Sequence, residues 1–134
     1  MTIGVLIADD SRHQRTGWRM VLESQPDITI IGEAGDGAQT LAIVRRSLTD
    51  VVLMDLHMPG VNGLVASERI ATDAAVRDRG AVPRIVLATA LELDDHVAEA
   101  ASAGVFAVVH KDLEPEALLE IVRAAALAVD DRRR

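Results

Sequence analysis

The sequence predicts an α/β protein, a doubly wound five-stranded parallel sheet with helices on both faces. Three observations carry the prediction. Five short apolar runs recur along the 134 residues. Stretches with apolar residues at helical spacing follow each of them. The runs lack in-out alternation, as expected of strands covered on both sides. Strands that alternate with helices argue for a parallel sheet, and right-handed crossovers leave few topologies.

Ile3–Ala8 is the first strand, and it ends in two adjacent acids, Asp9 and Asp10. Ser11 is placed to cap a helix over 12–24. Trp18, Val21 and Leu22 face inward there, with Met20 on the flank. Pro26 and Asp27 end that pattern. The second strand covers 28–31, with Glu33 and Ala34 leaving it. A Gly35-Asp36-Gly37 turn opens an amphipathic helix over 38–48, with Leu41, Ile43 and Val44 inward and Arg45 and Arg46 outward. The third strand covers 50–54, and Asp55 stands at its carboxyl end. A helix over 64–76 follows, with Leu64, Val65 and Ile70 inward, then a polar loop over 77–82. Pro83 precedes the fourth strand, 84–88, and Thr89 and Ala90 follow it. An Ala-rich helix over 93–102 is closed by Gly104. The fifth strand covers 105–109, and Lys111 lies just beyond. Glu114-Pro115-Glu116 opens the last helix, which runs to about Val129. Residues 130–134 form a charged tail.

The length suits one domain with one core. Apolar residues make up 49% of the chain, so a core can form and disorder is disfavoured. Trp18 and Phe106 are the only aromatic residues, so that core is aliphatic. The lack of cysteine excludes disulfides, thiolate metal sites and a cysteine nucleophile. Met1 leads straight into a strand, with no signal peptide and no apolar span long enough for a bilayer. A cytoplasmic protein with no membrane contact is expected. A net charge of −7 disfavours direct nucleic-acid binding by this segment.

In a parallel sheet the carboxyl ends of the strands share one edge, where ligands bind. That edge collects Asp9, Asp10, Asp55, Thr89 and Lys111, the only lysine in the chain. Like charges about 4 Å apart at an effective dielectric near 20 repel by roughly 4 kcal/mol. Either one acid takes a proton or a cation sits among them. All-oxygen ligands favour a hard divalent ion, Mg2+ first, with Mn2+ as a substitute. One carboxylate can then act as a nucleophile towards phosphorus, with Thr89, Lys111 and the metal neutralising phosphoryl oxygens.

The ordered set of Asp9-Asp10, D-L-H-M-P-G-V-N-G from Asp55, A-T-A with Thr89 and H-K-D with Lys111 resembles bacterial response-regulator receiver domains over essentially the whole chain. Arg15 and Gly17, E-A-G-D-G from Glu33, L-D-D-H-V from Leu93 and Lys111-Asp112 resemble the NarL/FixJ/LuxR-type subfamily. The resemblance implies the flavodoxin-like receiver fold, strand order 2-1-3-4-5, over residues 1–129, with no output domain in this chain. It implies Asp55 as phosphoacceptor for a sensor histidine kinase. Asp10, Asp55 and the His57 backbone carbonyl would bind the metal directly, and Asp9 through a water. Thr89 would hydrogen-bond the phosphoryl group and Lys111 would pair with it. Leu91 and Ala90 flank the site. Phosphorylation would draw Thr89 inward and reshape the face made by the helix over 93–102, the fifth strand and the last helix. Self-phosphorylation and self-dephosphorylation are the only expected activities, in a two-component phosphorelay. The chain is then a stand-alone regulator or the receiver of a DNA-binding transcription factor.

Receivers usually carry Tyr or Phe three residues before the lysine, as a ring that turns on activation. Val108 stands there instead, so an altered switch is expected. The segment from Arg69 to Pro83 is about one helical turn longer than usual. The wide apolar stripe of the last helix suggests homodimerisation. Taken singly, each acid could cap a helix or end a strand, and Lys111 could be solvated; the ordered set argues against that. A haloacid-dehalogenase-like phosphohydrolase wants a second acid two residues after the nucleophile, where His57 stands. A nucleotide-binding flavodoxin relative wants a Gly-rich loop after the first strand. A degenerate, non-phosphorylated interaction module would not need the full acid set.

Overall fold

Val5, Ile7, Leu53, Val86 and Ala88 face one side of the sheet, and Leu6, Ala8, Val52, Met54, Ile85 and Leu87 face the other. This period-two sorting divides the core into two aliphatic layers. The computed structural model describes residues 2–80, 82–90, 100 and 103–133, and the side chains up to Ala128. Five strands, β1 (Ile3–Ala8), β2 (Ile28–Ala34), β3 (Val51–Asp55), β4 (Arg84–Thr89) and β5 (Ala107–His110), form one all-parallel sheet in the order β2-β1-β3-β4-β5. The expected fold and strand order are both observed.

The first layer is closed by α1 (Arg12–Glu23), through Trp18 and Leu22, and by α5 (Pro115–Arg133), through Leu118, Leu119, Val122, Ala125 and Ala126. The second is closed by α2 (Gly37–Arg46), α3 (Gly63–Thr72) and α4 (Ala74–Asp78), through Ile43, Val44, Ala66, Ile70 and Val76. Ser11, Asp36 and Asn62 cap α1, α2 and α3, each accepting a hydrogen bond from a backbone N–H three residues on.

Several expectations need correction. β2 runs on through Glu33 to Ala34, past a register shift opposite Val5 and Leu6. It is an edge strand, so pairing with β1 continues where the apolar pattern has already stopped. The helix expected over 64–76 is broken at Asp73, whose side chain accepts from the Val76 N–H at 3.1 Å and starts α4. This extra turn occupies the segment that reads as long, and Arg77 and Asp78 belong to it rather than to a loop. Val65 is exposed, and Ala66 and Ser67 take the inward positions. α2 ends at Arg46, leaving Leu48 exposed. β5 starts at Ala107. α5 continues to Arg133, through the residues read as a charged tail. Its apolar stripe is largely used in the core; among its described large apolar side chains only Leu127 is exposed. The helix expected over 93–102 lies outside the described residues except for Ala100, which is helical and buried.

Candidate functional site

β1, β3, β4 and β5 deliver polar groups to the carboxyl edge, and backbone bonds between strand ends fix their spacing. Asp9 follows β1, and its N–H donates to the Ala34 carbonyl at 2.9 Å. Its side chain is wholly buried. Oδ1 accepts from the Ser11 N–H at 2.7 Å, and Oδ2 accepts from Lys111 Nζ at 3.0 Å. Asp55 closes β3 and is 2% exposed. Its Oδ1 accepts from the His57 N–H at 3.1 Å and pairs with Lys111 Nζ at 3.2 Å. Lys111 is itself anchored to β4, since its N–H donates to the Thr89 carbonyl at 2.9 Å. Thr89 is fully buried, one residue beyond Ala88, the β4 partner of Asp55. Asp10 is exposed.

The N-terminus of α3 presses on this edge from below. Gly63 N–H donates to the Leu56 carbonyl at 2.7 Å. A Cβ on Gly63 would lie 2.6 Å from the Asp55 carbonyl oxygen and 2.9 Å from Leu87 Cδ2. Only glycine permits this approach of helix to strand end.

The electrostatics follow from the crowding. Burial pushes the Asp55 carboxyl above its usual range; the Asp9 charge adds to this, while the His57 N–H and Lys111 oppose it. For Lys111, burial alone would lower the pKa, but the hydrogen bond to Asp9 and the charges of Asp55 and Asp9 outweigh it and hold the ammonium above its ordinary value. One carboxylate oxygen each from Asp9, Asp10 and Asp55 lie within 4.8 Å of one another. Three hard oxygen donors opposed by one ammonium fit a divalent cation of the Mg2+ kind.

Asp9, Asp10, Asp55, Thr89 and Lys111, assigned to one edge by sequence, are therefore brought to it. The His57 backbone is at the site while the residue is exposed. Ala90 follows Thr89 and is exposed; Leu91 lies outside the described residues. Val108 pairs with Leu87 and packs, partly buried, against the second core layer. Sequence reasoning gave no role to the Ser11 amide, to Gly63 or to Arg15, whose Nη1 donates to the Asp9 carbonyl. The recurrence of Arg15 and Arg19 on one helix face, with Glu33 at a strand end, is the signal that could have pointed to the last of these.

Comparison with known proteins agrees with this fold. The family model described as the response regulator receiver domain matches residues 5–123. The uncharacterized transcriptional regulatory protein YxjL of Bacillus subtilis is 37% identical over 126 residues, covering 92% of this chain and 54% of that protein. The nitrate/nitrite response regulator NarL of Escherichia coli is 34% identical over 122 residues, covering 91% of this chain and 54% of that protein. The chain thus spans about half the length of these curated relatives. Among solved structures, the receiver domain of the NarL response regulator from Mycobacterium tuberculosis superposes with a TM-score of 0.78 at 29% identity, covering 96% of this chain and 97% of that one. No helix among the described residues is long and apolar enough to cross a membrane. By sequence and by fold, the chain belongs to the response regulator receiver domain family.

Proposed function

We propose that this receiver accepts a phosphoryl group on Asp55 from a sensor histidine kinase and so switches a partner-binding surface. The observation that carries the reading is the pair of buried carboxylates, Asp9 and Asp55, sharing Lys111 beside a third acid. An Asp55 oxygen attacks phosphorus of the donor phosphohistidine. The new P–O bond forms as the P–N bond breaks, and the leaving imidazole nitrogen takes a proton from solvent. Lys111 Nζ, already 3.2 Å from Asp55, neutralises phosphoryl charge, and the Thr89 hydroxyl donates a hydrogen bond to it. Asp10, Asp55 and the His57 carbonyl would hold Mg2+, with Asp9 acting through a water. A cation held there would supply charge neutralisation at the transferring oxygens. The test is intact-protein mass after incubation with acetyl phosphate, with and without Mg2+. A Mg2+-dependent gain of one phosphoryl group, lost in Asp55→Asn, supports the reading; no gain from acetyl phosphate or from a kinase overturns it.

Three further parts belong to the same reading. The matched half-length of transcriptional regulators supports a receiver whose output is transcriptional and whose place is the cytoplasm. The exposed Leu127 on α5 supports homodimerisation through that helix; a monomeric sedimentation profile with and without beryllofluoride contradicts it. Val108, in place of an aromatic ring, gives an altered switch; the usual full rearrangement around Thr89 on beryllofluoride binding contradicts that.

A further inference from the structure

Arg15 joins two strand ends. Its Nε donates to Glu33 Oε1 at 2.9 Å, and its Nη1 donates to the backbone carbonyl of Asp9 at 2.5 Å. The guanidinium is a rigid planar fork, so fixing one arm on Glu33 aims the other. The side chain is 18% exposed, against 42% for Arg19, which bonds the second oxygen of Glu33 at 2.7 Å without touching the site loop. Glu33 stands opposite Ile7, next to Ala34, whose carbonyl accepts the Asp9 N–H. Both backbone groups of Asp9 are thereby tied to the end of β2, one directly and one through Arg15. The carbonyl that Arg15 holds belongs to the peptide linking Asp9 to Asp10. A peptide unit turns as one plane, so its orientation sets where Asp10 departs. Among the described residues no hydrogen bond or ion pair holds the Asp10 carboxylate. Its place beside Asp9 and Asp55 depends on the backbone alone.

We propose that Arg15 is a positioning residue for the divalent-cation site, acting through the Asp9–Asp10 peptide to keep the Asp10 carboxylate within reach of the other two acids. The inference rests on the receiver reading, which supplies the cation. Arg15 touches a carbonyl and not a site carboxylate, so it pre-organises the loop without competing for the metal's ligands.

The experiment titrates Mg2+ into the purified chain and follows amide exchange of Ser11, which bonds Asp9 Oδ1, in metal-free protein. Arg15→Ala should weaken Mg2+ about tenfold and speed Ser11 exchange. Its phosphoryl uptake from acetyl phosphate at saturating Mg2+ should stay near wild type. Arg15→Lys, which lacks the fork, should weaken Mg2+ about threefold, and it carries the test if Arg15→Ala does not fold. Arg19→Ala should change affinity less than twofold. A wild type that binds Mg2+ while Arg15→Ala and Arg15→Lys bind it equally well overturns this inference and leaves the receiver reading intact. Equal weakening by Arg19→Ala also overturns it, because the effect would then be that of the helix. A wild type that binds no Mg2+ overturns both.

Discussion

Around the rim of the sheet, paired acids meet arginines. Glu33 bonds Arg15 and Arg19, Asp73 bonds Arg45, and Asp27 bonds Arg123. At the carboxyl edge two buried carboxylates, Asp9 and Asp55, share Lys111 beside a third acid, Asp10. The directions of the pKa shifts separate the two regions. The Arg45 hydrogen bond holds Asp73 below the usual carboxylate range, and Arg123 does the same for Asp27. For Glu33, burial pushes upward, but the bonds from Arg19 and Arg15 win and the carboxyl is lowered. Asp55 alone among these is pushed up, first by burial. Arginines hold the rim acids in their charged form; at the edge, burial and the Asp9 charge disfavour the charged form of Asp55, a cost that a cation can relieve. Perturbed groups of the second kind mark functional sites.

Breaking the edge has the largest expected effect. Asp55→Asn should abolish phosphoryl uptake, read by intact mass. In metal-free protein it should also raise the melting temperature, because it removes a buried carboxylate whose charged form the fold disfavours. A lower melting temperature would place Asp55 with the rim acids. Next comes the backbone that keeps the edge from relaxing. Gly63→Ala should cost about 3 kcal/mol in urea unfolding, since the added methyl meets the Asp55 carbonyl and Leu87 below contact distance. An unchanged midpoint would mean that α3 can move away from the site.

The rim effects are smaller. Glu33→Gln should cost about 1 kcal/mol near neutral pH. The folded-state pKa of Glu33 lies below its unfolded value of 4.5, so the contribution is fully present above that value. It is lost as the pH falls through the lowered pKa. Stability curves of wild type and Glu33→Gln should therefore run parallel above about pH 5.5 and converge in acid; a gap that persists at pH 2 would contradict the pairing. Arg123→Ala should lower the melting temperature least, as its bonds to Asp27 and Gln25 are partly open to solvent, and the loss should shrink in high salt.

The comparison also explains what sequence could reveal. Ile3–Ala8 and Val51–Asp55 are buried on both faces, so their apolar runs name them as strands, and the acids that follow are placed by the parallel sheet. β2 is an edge strand held by backbone bonds, and Gly32 and Glu33, which carry no apolar signal, interrupt its pattern before Ala34. Asp73 reads as one more polar helix position, because capping depends on where its side chain turns. Val65 reads as inward, but Ala66 is the covered residue, because helix rotation, not hydrophobicity, decides which is buried. Arg15 and Gly63 meet backbone carbonyls of a neighbouring strand end, and such contacts leave no periodic trace.

The most direct test of the contrast between edge and rim is the stability gained from Mg2+ in wild type, Asp55→Asn and Arg123→Ala. A ligand that binds only the folded state, at tenfold its Kd, adds about 1.4 kcal/mol. Wild type and Arg123→Ala should gain this amount, and Asp55→Asn should lose most of it. Equal gain in Asp55→Asn, or none in wild type, would contradict the assignment of the edge charges to cation binding.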